Sequence, residues 1–125
     1  MQYGIDILLQ QSAPWKQMKL AMVTNDAATT VTGEKSRAAL LNNGFHLIKL
    51  FSPEHGIAVT GADGAFQNHT TDSLTGLPVI SLYGEALAPA AEALKDIDAV
   101  LFDIPDVGCR YYTYLWTMTH VMQAC

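Results

Sequence analysis

Charged residues are scarce in this chain of 125 residues, and basic residues are the scarcer kind. Asp, Glu, Lys and Arg make up 15% of the sequence, whereas soluble domains commonly carry about 25%. The 7 basic and 12 acidic residues give a formal net charge of −5, which argues against binding to a phosphate backbone. We therefore expect no nucleic acid partner, and we expect other polypeptide to cover part of the surface.

Long apolar runs, signal-peptide features and a cysteine framework are also missing. No apolar run approaches the roughly 18 residues that span a bilayer, and residues 1–6 lack the basic and apolar segments of a signal peptide. We expect no membrane span. The compartment stays open between the cytoplasm and, if a signal has been removed, the periplasm or the exterior. Cys109 and Cys125 are too few for a disulfide framework, so we expect two reduced thiols.

Cofactor motifs are absent as well. The loop after the first apolar run, at 24–33, lacks the glycine pattern of a dinucleotide site, and no P-loop occurs. Four histidines show no metal-ligand spacing: His46, His55, His69 and His120. Two acids could hold a hard cation, but no second feature requires one: Asp103 and Asp106. We expect neither a cofactor nor a metal.

Four short apolar runs predict β-strands, because nearly continuous runs are typical of strands buried on both faces of a parallel sheet. They lie at 20–23, 47–51, 79–83 and 99–102. Helical patterns lie at 34–43, 88–95 and 111–123, and a short helix is predicted at 4–11. The order of these elements predicts an α/β fold of Rossmann-like type, with a mainly parallel sheet and flanking helices.

The last predicted helix carries an apolar stripe at helical spacing: Leu115, Met118, Thr119 and Met122. The helix continues to Cys125 without a cap or a polar tail. Together with the low charge, this predicts that the chain is the beginning of a longer protein. A homodimer that covers the same surface is the alternative.

A long segment at 54–75, rich in glycine and polar residues, begins where the second predicted strand ends. Connections of this length are often functional loops, and open α/β sheets bind ligands at the carboxyl ends of their strands. Glu54 and His55 open this segment between Pro53, which fixes the exit from the strand, and Gly56, which permits a sharp turn. A carboxyl beside an imidazole there can act as general acid or base. A solvated turn is the alternative.

A second polar segment, at 103–114, follows the fourth predicted strand. Arg110 can hold a carboxylate through two parallel hydrogen bonds, and the tyrosines that follow it can stack on a sugar. The structural alternative has Asp106 capping the last helix, Arg110 paired with Asp106, and the tyrosines packed on the sheet. Residue types alone leave both readings open.

Five blocks of sequence, taken together, resemble the YbbC/NamZ family of exo-β-N-acetylmuramidases. They are GIDILL at 4–9, MVTN at 22–25, FSPEHG at 51–56, TGLPVISLYG at 75–84 and FDIPDVGCRYYTY at 102–114. The resemblance implies a glycoside hydrolase that removes terminal N-acetylmuramic acid from peptidoglycan fragments. It also implies that residues 1–125 are the N-terminal part of a Rossmann-like catalytic domain, and that a second domain is absent from this chain.

The resemblance further implies roles for particular residues. Glu54 is the expected catalytic carboxyl, and His55 orients the substrate or tunes Glu54. The expected substrate-binding residues are Asn25, Asp103, Asp106, Arg110 and Tyr111, with Arg110 suited to the lactyl carboxylate of muramic acid. The sequence departs from the family pattern at Ala65, where an acid is common, and at Pro105 and Cys109, where glutamine and alanine are common.

Glycosidases usually employ a second carboxyl, and the sequence does not decide which residue supplies it. The candidates are Asp63, Asp72, Asp103 and Asp106, and the acetamido group of the substrate could also take part. A non-catalytic module that binds muramyl sugars through the same loops, or a self-associating α/β module, is the alternative function.

Overall fold

The computed structural model describes residues 1–59 and 70–125 and shows a five-stranded sheet with helices on both faces. The strands are β1 (Leu20–Thr24), β2 (Leu47–Ser52), β3 (Thr70–Thr71), β4 (Pro78–Ser81) and β5 (Ala99–Asp103). Their order in the sheet is β3-β4-β2-β1-β5. The pairs β1/β2, β1/β5 and β2/β4 are parallel, and β3/β4 is antiparallel. The mainly parallel α/β sheet predicted from the apolar runs is confirmed.

The strand β1, paired on both sides, is completely buried, and its side chains alternate between two apolar layers. Leu20 and Met22 pack on one side of the sheet with residues of the first two helices, while Ala21 and Val23 pack on the other side with residues of the last helix. Burial on both faces explains why the strand has no polar alternation.

The helices are α1 (Gly4–Leu9), α2 (Ser36–Asn42), α3 (Ala91–Leu94) and α4 (Tyr114–Ala124), and a 3-10 helix spans Trp15–Gln17. Each α-helix overlaps a predicted segment. α1 ends two residues earlier than predicted, α2 and α3 are shorter at both ends, and α4 begins three residues later and ends one residue later. None of the helices in the described ranges has the length and apolar character needed to cross a membrane.

The face on which α4 packs differs from the predicted stripe. Tyr114, Thr117 and Val121 are its buried residues, whereas Leu115 and Met122 are 56% and 69% exposed. The apolar stripe noted in the sequence is therefore not the buried face of this helix. A ring at Tyr114 and a branched side chain at Val121 fill the layer beside β1 and β2, and the stripe points outwards.

One further difference concerns the segment at 54–75. It contains the two-residue strand β3, which pairs with β4 and which no sequence pattern predicts. Asp63, a candidate for the second carboxyl, lies outside the described residues, as do Ala65 and His69.

Candidate active site

A cleft of about 670 Å³ opens at the carboxyl end of the sheet. Two segments line it within the described residues: the turn that follows β2 and the segment that leads into α4. The lining residues are Glu54, His55, Val59, Tyr111, Tyr112, Thr113 and Tyr114. The structure thus brings Glu54, His55 and Tyr111 together, as predicted for strand ends that meet at one edge of a parallel sheet.

The carboxyl group of Glu54 is tied to the start of α4. Thr113 Oγ1 donates a hydrogen bond to Glu54 Oε2 across 2.8 Å, although the two residues are 59 positions apart in sequence. Thr113 immediately precedes α4 at its N-cap position, and its side chain makes no capping bond to the helix. The hydroxyl is therefore available to fix the direction of the carboxyl group in the cleft.

The backbone of the turn after β2 is unusual. His55 has φ 71° and Val59 has φ 56°, and Gly56 between them has φ 76°. A left-handed conformation costs a residue with a Cβ roughly 1–2 kcal/mol, and such strain concentrates at functional sites. Asp26 N donates to Ile57 O across 2.7 Å and holds this turn against the loop after β1.

Asn25 lies beneath the cleft. It follows β1, is 1% exposed, and has both ends of its amide engaged. Its Oδ1 accepts from Ala27 N at 3.0 Å, and its Nδ2 donates to the Tyr114 hydroxyl at 3.3 Å. Burial raises the pKa of the Tyr114 hydroxyl above its usual value, a rise that Asn25 opposes and that Tyr112, Glu54 and Asp106 reinforce. Tyr114 therefore faces the cleft as a protonated phenol.

The sequence left open whether the segment between β5 and α4 binds substrate or has a structural role, and its residues differ in this respect. Asp106 does not cap α4, since the cap position is Thr113. Instead, Asp106 Oδ1 accepts from Gly108 N at 2.6 Å and closes a local turn. Tyr114 is packed in the core with 8% exposure, whereas Tyr111 is 90% exposed. Arg110 is exposed and, within the described residues, does not line the cleft.

Asp103, at the end of β5, lies in a different place. It borders a separate groove of about 220 Å³ with residues of α1, among them Ile5 and Leu8. Burial raises the pKa of its carboxyl, with a partial offset from Ser36 and a further rise from Asp6. Asp103 Oδ2 and Ser36 Oγ are both buried and have no hydrogen-bond partner of good geometry within the described residues.

An ion cluster centred on Arg37 holds the loops behind the cleft. Arg37 is 3% exposed on α2. Its Nη2 lies 2.7 Å from Asp26 Oδ1, and its Nε donates to Asp72 Oδ2 at 2.9 Å. Burial raises the pKa of Asp72, but hydrogen bonds from Arg37 and Thr75 outweigh it, so the net pKa lies below its usual value. Asp72 is thus an ionised partner of Arg37 and not a residue of the cleft.

Thr113, Tyr114 and Arg37 are the residues of this region that sequence analysis does not single out. Thr113 and Tyr114 lie within the segment at 103–114, so their position at the end of a strand is the one available signal. Nothing in the sequence pairs Arg37 with Asp26 or Asp72. Within the described residues, no group of three His, Cys, Asp or Glu side chains is arranged to hold a metal ion.

Known proteins are similar to this chain in sequence and in fold. The peptidoglycan β-N-acetylmuramidase NamZ of Bacillus subtilis (strain 168) is 39% identical over 125 residues, covering 98% of this chain and 30% of that protein. A DUF1343 family protein of Bacteroides fragilis superposes with a TM-score of 0.83 at 36% identity, over 98% of this chain and 31% of its own. A second DUF1343 family protein of Bacteroides fragilis superposes with a TM-score of 0.70 at 34% identity, over 89% of this chain and 27% of its own.

The chain therefore spans about a third of the length of these relatives. The sequence model of the family described as "Exo-beta-N-acetylmuramidase NamZ, N-terminal" matches residues 20–125. This match extends over well more than half of the sequence and confirms the resemblance carried by the five sequence blocks. The chain belongs to the NamZ N-terminal family.

Proposed function

We propose that this chain is the N-terminal part of a Rossmann-like catalytic domain that removes terminal N-acetylmuramic acid from peptidoglycan fragments, with Glu54 as the acid–base carboxyl. The observation that carries the proposal is the Glu54 carboxyl, held by Thr113 in a cleft lined by tyrosines at the carboxyl end of the sheet. A protonated carboxyl can donate its proton to the glycosidic oxygen as the bond to the sugar breaks. Tyrosine rings suit the faces of sugars.

His55 and Tyr111 contribute to the same site. His55 lies beside Glu54 on the cleft lining and orients the substrate or tunes the carboxyl. Tyr111 lines the opening and offers a ring that is 90% exposed. Arg110, the neighbouring exposed cation, is proposed to bind the lactyl carboxylate of the sugar once it is seated.

The positions of the acidic residues reduce the number of candidates for the second catalytic group. Glu54 is the one carboxylic acid lining the cleft within the described residues. Asp72 is buried against Arg37, Asp103 borders another groove, and Asp106 closes a local turn. The remaining candidates are Asp63, an acid from polypeptide beyond this chain, and the acetamido group of the substrate itself.

A chimera tests the proposal, since the relatives are about three times longer than this chain. This chain replaces the matching 30% of the Bacillus subtilis enzyme, and release of N-acetylmuramic acid from a chromogenic β-glycoside is measured. Glu54→Gln should lower the rate by about 10²–10⁴-fold, the usual contribution of a general acid. The control Glu92→Gln changes a glutamate on the surface of α3 and should leave the rate unchanged. An equal loss in both variants, or none in Glu54→Gln, would contradict the role of Glu54.

The alternative function is a sugar-binding module without turnover. It uses the same tyrosine-lined cleft, so it predicts saturable binding of N-acetylmuramic acid to the folded chimera. It also predicts that no sugar is released at any enzyme concentration. A measurable rate that depends on Glu54 excludes this alternative.

We also propose that other polypeptide covers the apolar residues of β5 and α4. β5 lies at an edge of the sheet as described, and Leu115, Trp116 and Met122 on α4 are 56%, 62% and 69% exposed. Large exposed apolar patches mark interaction surfaces. The proposed occupant is polypeptide matching the remaining length of the relatives, and a homodimer is the competing one.

Trp116 fluorescence separates the two occupants. A Trp15→Phe background leaves Trp116 as the one tryptophan. Its emission should be that of an exposed indole in this chain and should shift to shorter wavelength in the chimera. A concentration-dependent blue shift in this chain, with a dimer in light scattering, would instead establish self-association.

A further inference from the structure

We infer that the Tyr114 hydroxyl donates a hydrogen bond to the acetamido carbonyl oxygen of the bound sugar, and that Asn25 is the positioning residue that aims it. This inference rests on the proposed function, because it names the part of the muramyl substrate that the same cleft recognises. It also changes the expected role of Asn25 from a substrate contact to a group acting through Tyr114.

The direction of the phenol follows from the Asn25 amide. Oδ1 of Asn25 accepts from the backbone N–H of Ala27, so the other end of the amide must be the nitrogen. That nitrogen donates to the Tyr114 hydroxyl, and an amide nitrogen has no acceptor capacity. The Tyr114 oxygen is therefore the acceptor in this bond, and its own proton must be directed elsewhere.

The cleft is the place to which that proton can be directed. Tyr114 lines the cleft beside Thr113, whose hydroxyl bonds Glu54. The Tyr114 ring is held edge-on against Tyr112, with centroids 5.7 Å apart and an interplanar angle of 80°. A buried amide beneath the oxygen and a ring beside it leave the phenol little rotational freedom, which is the condition for a preorganised donor.

The charge around Tyr114 selects the kind of acceptor. Asp106 acts on Tyr114 as a negative charge, and so does Glu54 whenever its carboxyl is ionised. An anionic acceptor at the hydroxyl would be repelled by these carboxylates. A neutral oxygen is favoured instead. The acetamido carbonyl is the strongest neutral acceptor on N-acetylmuramic acid, whereas the lactyl carboxylate is suited to a cation such as Arg110.

Binding measurements on this chain test the inference with two ligands. They are the methyl β-glycoside of N-acetylmuramic acid and its counterpart with a hydroxyl in place of the acetamido group. Tyr114→Phe should weaken binding of the first about three- to tenfold, the value of one neutral hydrogen bond, and leave the second unchanged. Tyr3→Phe, which removes a phenol outside the cleft, should change neither affinity.

The role of Asn25 is tested by non-additivity. Asn25→Ala should weaken binding of the acetamido ligand about as much as Tyr114→Phe, and the double variant should be no weaker than Tyr114→Phe alone. Additive losses would show that Asn25 acts independently of Tyr114. If Asn25→Ala does not fold, judged from its amide spectrum, the two-ligand comparison of Tyr114→Phe decides the inference by itself.

The outcomes also separate this inference from the proposed function. Equal weakening of both ligands by Tyr114→Phe, or no weakening of either, overturns the Tyr114 assignment while leaving Glu54-dependent turnover of the chimera intact. Failure of the wild-type chain to bind either glycoside, with turnover of the chimera unaffected by Glu54→Gln, overturns both.

Discussion

The hydrogen bond from Thr113 to Glu54 gives a prediction whose size follows from the structure. Thr113→Val keeps the shape of the side chain and removes the donor to Glu54 Oε2, now 2.8 Å away. A hydrogen bond to a charged group contributes about 1.5–3 kcal/mol. Because Glu54 and Thr113 are both partly exposed, we expect about 1 kcal/mol of this, which corresponds to a decrease in melting temperature of roughly 4 °C for a chain of this size.

A double-mutant cycle isolates the bond from other effects of the substitutions. The free energy of unfolding is measured in urea for the parent, Thr113→Val, Glu54→Ala and the double variant. The coupling energy should be about 1 kcal/mol, above the roughly 0.5 kcal/mol within which independent sites add. Thr113→Ser, which keeps the hydroxyl, should retain most of the stability.

A matched control is available on the same helix. Thr119 Oγ1 donates to the Leu115 carbonyl oxygen one turn earlier, so Thr119→Val removes a hydroxyl from α4 without touching Glu54. It should show no coupling to Glu54→Ala. Additive effects of Thr113→Val and Glu54→Ala, or the same coupling for Thr119→Val, would refute the reasoning that this bond holds the carboxyl.

Two further predictions concern buried charges. Arg37→Met leaves Asp72, whose side chain is 3% exposed, without its cation, and should cost about 3–5 kcal/mol of unfolding free energy, measured by urea denaturation; a cost below about 1 kcal/mol would contradict a buried ion cluster. Burial raises the pKa of the Asp103 carboxyl in the folded chain. The unfolded chain releases this proton near pH 3.9, whereas the folded chain keeps it to a higher pH. The free energy of unfolding therefore falls as the pH rises from about 3.9 through the folded pKa. Asp103→Asn should therefore raise the melting temperature at pH 7 and flatten this decline, whereas the exposed control Asp106→Asn should do neither; an unchanged pH profile for Asp103→Asn would show that the carboxyl is not desolvated.

The sheet could be predicted from the sequence because its signal is local. A strand buried on both faces needs consecutive apolar residues, as at Leu20–Thr24, and few other structures use such short runs. The strand β3 escapes this reasoning, since two threonines carry no periodicity and their pairing is decided by β4. The buried face of α4 could not be predicted from the sequence either. Its apolar residues surround the helix, so the pattern contains two stripes, and only packing against β1 and β2 selects the one that includes Tyr114 and Val121.

In the candidate site, as in the sheet, only features with a local signal in the sequence could be predicted. Glu54 and His55 could be placed in the cleft because both follow directly from the end of β2, and strand ends of a parallel sheet meet at one edge. The partners of these residues could not be predicted. Thr113 is 59 positions from Glu54, and Tyr114 is 89 positions from Asn25. No periodicity or motif in the sequence records a contact between such distant positions.

The ion cluster behind the cleft shows why contacts of this kind matter to the site. Arg37 links Asp26, which follows β1, to Asp72, which follows β3, and Asp26 N in turn holds the carbonyl oxygen of Ile57 in the turn that carries Glu54. Burying a charge is unfavourable unless partners surround it, so the cluster is stable in one arrangement of these loops. That arrangement can supply the support that the strained turn at His55 needs. The loops tied to Arg37 and the hydrogen bond from Thr113 at the N-cap of α4 constrain the same carboxyl group from two sides. Loss of either should disorder Glu54 without unfolding the sheet.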